Sequence, residues 1–165
     1  RSIALEVTAL AEGLARREAD TTTTEAATRE VEAPQVRMML VRLRPGRMAA
    51  IPVDEVAHIA RFASRALERR GDLELARDAQ GALPVFTLAQ VTAAHDDWRP
   101  EDPERAHPVL VHVHEGRRIG YRVEAVEDIV RVPRDGHDNG VLVNGVVHER
   151  RSLAALAPRL AREVA

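Results

Sequence analysis

The chain has 165 residues, a net charge of −2 and 45% hydrophobic residues, enough for one sizeable core in one domain or one small domain of two lobes. It has no cysteine, which excludes disulfides, a thiolate nucleophile and thiolate-ligated zinc. Two phenylalanines, one tyrosine and one tryptophan give no set of stacking platforms for single-stranded nucleic acid, and the weakly acidic balance gives no electrostatic footprint for DNA or an anionic membrane.

No apolar run approaches the roughly 20 residues of a membrane span, and no secretory signal is visible. The chain opens on Arg1 rather than Met, as a fragment of a longer protein would. Residues 2–19 read as an amphipathic helix, with Ser2 as N-cap and Ile3, Val7, Leu10 and Leu14 recurring on one face. That face packs on its own domain or docks on a partner; its two heptads are too short to specify a coiled coil. Residues 20–35, with their run of threonines and then Ala, Glu and Pro, lack periodicity and read as a flexible linker.

Residues 36–51 predict a hairpin around Pro45-Gly46, apolar on both faces at its start. Val53, Val56 and Ile59 follow with helical or extended-edge spacing. The charged stretch 63–70 predicts a short helix ended by Gly71. A strand at 73–76, a turn at 78–81 and a return strand at 82–86 come next, then a short helix at 87–94 capped by Thr87. The acidic, proline-broken loop 95–107 is the expected border between two lobes.

Residues 108–133 predict a hairpin and a third strand. Val109, Val111 and Val113 share one face, as do Ile119, Tyr121 and Val123. A three-residue loop, Glu115-Gly116-Arg117, pairs these two apolar sets, whereas a two-residue loop sets Val113 against Arg118 and Val111 against Gly120. Because a one-residue slip flips every side chain, the three-residue loop is expected. After a polar turn at 134–140, a last hairpin folds around Asn144-Gly145, the strongest short hairpin signal. Ser152 then caps a terminal helix with Leu153, Leu156, Leu160 and Val164 on one face, and Pro158 is expected to kink or restart it.

The chemistry is sparse. His112 and His114 stand two apart on one strand face, a spacing that lets two imidazoles converge on a metal. The expected register puts Arg118 beside them, which opposes a cation, and no third ligand is placed; they read as solvated or partner-facing, with a metal-assisted enzyme as the alternative. Asp96, Asp97, Asp102 and Glu104 lack calcium-loop spacing. No phosphate-cradling glycine motif occurs, and Ser64 and Ser152 lack a nucleophile elbow. No catalytic residue, metal site or cofactor is therefore expected.

Four segments in order carry a resemblance. They are Met39-Leu40-Val41-Arg42-Leu43 followed by Ala50-Ile51-Pro52-Val53-Asp54-Glu55-Val56; Gln80-Gly81-Ala82-Leu83-Pro84-Val85-Phe86-Thr87-Leu88; Gly116-Arg117-Arg118-Ile119-Gly120-Tyr121-Arg122-Val123-Glu124; and Asn144-Gly145-Val146-Val147 with the final helix. Together the chain resembles a divergent CheW-like domain over residues 36–165. The resemblance implies a mainly β fold of two SH3-like five-stranded barrel lobes with short helices and a C-terminal helix, to which residues 1–19 add an N-terminal helix. It implies a non-catalytic cytoplasmic adaptor of a bacterial chemosensory system. The implied partners are a CheA-like histidine kinase and/or a methyl-accepting chemoreceptor, with no nucleic acid and no membrane.

Carried over by alignment, the implied partner-binding positions are Val53, Val56, His58, Gln80, Gly81, Pro84, Pro108 and Gly120, with Ile3, Val7, Leu10 and Leu14 as a helical interaction face. Gln80 stands where the family has Arg, Thr87 and Glu124 where it has Asp, and His58 where it has Glu, which implies altered partners. A generic SH3-like peptide-binding module is the other alternative.

Overall fold

Strands that bury both of their faces organise this fold. A computed structural model describes residues 34–134 and 140–164. The expected helix at 1–19, with Ile3, Val7, Leu10 and Leu14, lies outside the described residues, as do nearly all of the linker 20–35 and most of the polar turn 134–140.

β1 (Gln35–Arg44) and β2 (Arg47–Pro52) form the expected first hairpin. A 3-10 turn, Val53–Glu55, leads to β3 (His58–Ala63), β4 (Glu68–Arg70), β5 (Leu73–Asp78) and β6 (Gly81–Thr87). The short helix α1 (Leu88–Val91) and an irregular loop precede β7 (Ala106–His114) and β8 (Arg117–Arg122). β9 (Ala125–Pro133), β10 (Gly140–Val143), β11 (Val146–Arg150) and α2 (Leu153–Val164) close the chain.

The strands make two sheets, ordered β10-β11-β2-β1-β9 and β3-β7-β8-β6-β5-β4. Each sheet contains one parallel pair, β11 with β2 and β6 with β8. The chain changes sheet at 53–57 and again at 123–124. The loop at 95–107, expected as the lobe border, instead joins two strands of the same sheet.

Three apolar clusters follow from strand alternation. Met39, Val41, Leu43 and Ile51 of the first sheet meet Leu110, Ile119 and Tyr121 of the second, together with Leu88, Leu153, Ala157 and Leu160 of the two helices. On the opposite face of β1, Met38 and Leu40 pack with Val132 and Val141. On the opposite face of β7, Val109 and Val111 pack with Ala76, Leu83 and Val85. One cluster thus joins the sheets, and each sheet also keeps an apolar cluster of its own.

This double burial corrects the expected register. Val113 pairs with Arg118, Val111 with Gly120 and Val109 with Arg122 around a two-residue loop. Glu115 (φ 51°) and Gly116 (φ 80°) both have positive φ, the signature of a type I′ turn, whose twist matches that of the flanking strands. The valines need no apolar cross-strand partner in β8, because Leu83 and Val85 of β6 cover the same face. Gly120 supplies the room: a Cβ there would stand 2.7 Å from Val109 Cγ1.

The helix expected at 63–70 is also corrected. Ser64–Ala66 form one 3-10 turn, and Glu68–Arg70 form β4, the sixth strand of the second sheet. Gly71 (φ 64°) opens the turn of the β4–β5 hairpin rather than ending a helix; a positive φ serves either role. The Asn144-Gly145 hairpin forms as expected, with φ values of 52° and 81°. Thr87 precedes α1 but makes no capping hydrogen bond. Ser152 does cap α2, its Oγ accepting from the Ala155 amide at 3.1 Å. Pro158 neither kinks nor restarts α2 enough to divide it; the residue is exposed, so water can reach the helix face where its missing N–H leaves a carbonyl unpaired.

Candidate functional site

The first crossover between the sheets is held from three sides. The Glu55 carbonyl accepts a hydrogen bond from His112 Nδ1 at 2.7 Å, which fixes the proton of that imidazole on Nδ1. The Ala57 amide donates to the Val111 carbonyl at 2.7 Å. The Glu55 carboxylate receives the Ser152 hydroxyl at 2.8 Å and the Leu153 amide at 2.7 Å. Val53 and Val56 flank this turn, half-buried against the cluster that joins the sheets. Their outward atoms therefore sit on a fixed backbone.

A second group gathers at one end of the six-stranded sheet. Asp78 and Arg118 make a two-pronged ion pair, with Nη1 and Nη2 at 2.7 and 2.9 Å from the two carboxylate oxygens. The Gln80 amide donates to Asp78 Oδ1 at 2.9 Å, which shapes the turn carrying Gln80 and Gly81. Hydrogen bonds from Arg118 and from the Gln80 amide hold the Asp78 carboxyl down at about 2, and the charge of His58 acts in the same direction. Val113, opposite Arg118, is 48% exposed. His58, Gln80 and Gly81, three of the expected partner positions, are all exposed.

Three others are interior. Pro84 and Pro108 are buried in β6 and β7, opposite Leu75 and Arg61. Gly120 is buried against Val109, Leu83 and the Pro84 carbonyl. These residues set the packing of the second sheet, and Pro84 also lines an open groove with Ala82, Arg117 and Ile119.

His112 and His114 do share a strand face, but they pair with Ile119 and Arg117, one position away from the expected register. His112 is buried and spends Nδ1 on Glu55, and His114 lies 3.8 Å from Glu115. Among the described residues no three His, Cys, Asp or Glu side chains come together as a metal site.

Sequence reasoning passed over a polar cluster inside the second sheet. Arg122 is only 1% exposed. Its Nη2 donates to Thr87 Oγ1 at 2.6 Å and Glu74 Oε1 at 3.1 Å, which explains why Thr87 does not cap α1. Nε and Nη1 have no hydrogen-bond partner among the described residues. A buried unsatisfied polar group costs about 1–3 kcal/mol, and more when charged. Burial pulls the Arg122 guanidinium below its ordinary value, against the opposing charge of Glu74. Arg69 and Arg99 approach the other oxygen of Glu74 at 3.9 and 3.7 Å. The available signal was a lone arginine between Tyr121 and Val123, on the strand face shared with Gly120.

No family model and no curated protein matches this sequence. Among solved structures, the fold is similar to that of the scaffolding protein TtCheW from Thermoanaerobacter tengcongensis. The TM-score is 0.61 at 10% identity, over 76% of this chain and 90% of that one.

The chain has a CheW-like fold. That agrees with the mainly β class, the two lobes, the short helices and the C-terminal helix that the resemblance implies; the two five-stranded lobes are curled sheets, the second with a sixth strand. At this identity the CheW likeness rests on backbone arrangement. Among the described residues no helix is long and apolar enough to cross a membrane.

Proposed function

We propose that this chain is a non-catalytic adaptor of a bacterial chemosensory system, acting in the cytoplasm through protein partners alone. The observation that carries the reading is the CheW-like fold, shared over 90% of a chain described as a scaffolding protein. The partners proposed are the regulatory domain of a CheA-like histidine kinase and/or a methyl-accepting chemoreceptor. Residues 36–165 serve as the adaptor module, with 1–19 as an added helix on the linker 20–35. The surface of His58, Gln80 and Gly81 and the crossover at Val53 and Val56 are the proposed contacts, since both are ordered by hydrogen bonds beneath them. His58 and Gln80 differ from the residues of the resembling family, which favours partners with matching changes.

Affinity capture with the full chain from lysate of its own organism, repeated without residues 1–35, tests the reading. Recovery of a histidine kinase or a chemoreceptor is expected. Recovery of neither, with an unrelated protein enriched, contradicts it.

A further inference from the structure

A cavity of about 250 Å³ opens beside Arg122 and is lined by Ser64, Leu67, Arg69, Glu74, Arg99 and Pro100. It is smaller than the roughly 300–1,000 Å³ of sites for drug-sized ligands, which fits a small ion. Three guanidinium groups converge on its one carboxylate. Arg122 holds Oε1 of Glu74, and Arg69 and Arg99 stand near Oε2. Glu74 neutralises one of the three, so two positive charges remain over. Arg122 has five N–H groups, and the three on Nε and Nη1 have no partner among the described residues. Arg69 and Arg99 are about half exposed, at 54% and 50%, so they stand at the mouth, while Arg122 forms the floor.

A buried cation with such donors, joined by two more cations around a small cavity with a serine on its wall, is the chemistry of oxyanion capture. Exposed arginines at the mouth can turn toward a ligand, whereas Arg122 is held by Thr87 and Glu74. We propose that this cavity binds a small divalent oxyanion of the phosphate class, with Arg122 as anchor and Arg69 and Arg99 as clamp. Such an ion matches the surplus charge of the three guanidinium groups over Glu74. The site is independent of the partner surface, because none of its residues belongs to the His58, Gln80 and Gly81 group.

The test is thermal unfolding of the full chain in increasing inorganic phosphate, against chloride at matched ionic strength. A saturable rise in Tm with phosphate alone is expected. The Arg69→Gln, Arg99→Gln double variant, which changes only half-exposed side chains, is expected to raise the phosphate Kd at least tenfold. Arg122→Met is expected to abolish the saturable rise; if that variant fails to fold, the double variant decides. Equal responses to phosphate and chloride, or an unchanged Kd in the double variant, overturn the proposal.

Discussion

The carboxylate of Glu55 lies 2.7 Å from the amide nitrogen of Leu153, and the two residues are 98 positions apart in the chain. The first N–H groups of a helix have no partner within it, and a carboxylate placed there gains both hydrogen bonds and the favourable end of the helix dipole. The same Glu55 carries the carbonyl that His112 binds. One residue of the crossover therefore fixes the start of α2 and a strand of the second sheet together.

Replacing Glu55 should reveal that role. Glu55→Gln keeps the shape and loses the charge, and is expected to cost about 1 kcal/mol; Glu55→Ala is expected to cost about 2 kcal/mol. Urea unfolding measures both. An unchanged midpoint in both variants would show that α2 does not depend on this contact.

Gly120 is expected to tolerate no side chain. The added Cβ of Gly120→Ala meets Val109 Cγ1 at 2.7 Å and the Pro84 carbonyl at 3.3 Å, an overpacking worth about 1–3 kcal/mol. Adding Val109→Ala removes the nearest obstacle, so the double variant should lose less stability than the two single losses combined. A strictly additive cycle would contradict the observed register.

Acid should act on the Asp78–Arg118 pair late. The Asp78 carboxyl falls from 3.8 to about 2 in the fold, so the pairing contributes stability above pH 3.8 and loses it as pH falls through about 2. Carboxyl carbon shifts followed by NMR should show Asp78 titrating well below the ordinary aspartate value. In Arg118→Gln its midpoint should rise toward the ordinary value. A wild-type midpoint near 3.8 would contradict the ion pair.

Pro158 is expected to be a stability cost. It removes an N–H donor inside α2 at an exposed position. Proline is about 3 kcal/mol worse than alanine in a helix interior, and its restriction of the unfolded chain returns up to about 1 kcal/mol. Pro158→Ala should therefore stabilise by about 2–3 kcal/mol in urea unfolding. A destabilised variant would mean that the proline ring makes packing contacts worth more than the lost hydrogen bond.

Much of the fold was legible in the sequence where a local rule decides it. Asn144-Gly145 specifies its turn through two positive φ values, Pro45-Gly46 marks the first hairpin, and Ser152 with the Leu153, Leu156, Leu160 and Val164 face specifies α2. The register of β7 on β8 was not legible, because the argument for it assumes one buried face. Here Leu110 and Val111, neighbours in sequence, are both fully buried in different clusters. β4 was not legible, because a glycine with positive φ can end a helix or open a hairpin, and Gly71 does the latter. All the candidate partner positions rest on alignment alone, which does not separate exposed positions such as His58, Gln80 and Gly81 from buried ones such as Pro84, Pro108 and Gly120. Arg122 was hidden because its partners Glu74 and Thr87 are 48 and 35 residues away.

The most direct test of the adaptor reading is calorimetric titration of the purified full chain against the regulatory domain of a histidine kinase, and separately a chemoreceptor tip, from its own organism. Saturable binding to at least one is expected, weakened at least tenfold by His58→Asp combined with Gln80→Ala, with the fold of the variant unchanged by circular dichroism. No binding to either protein would contradict the adaptor reading.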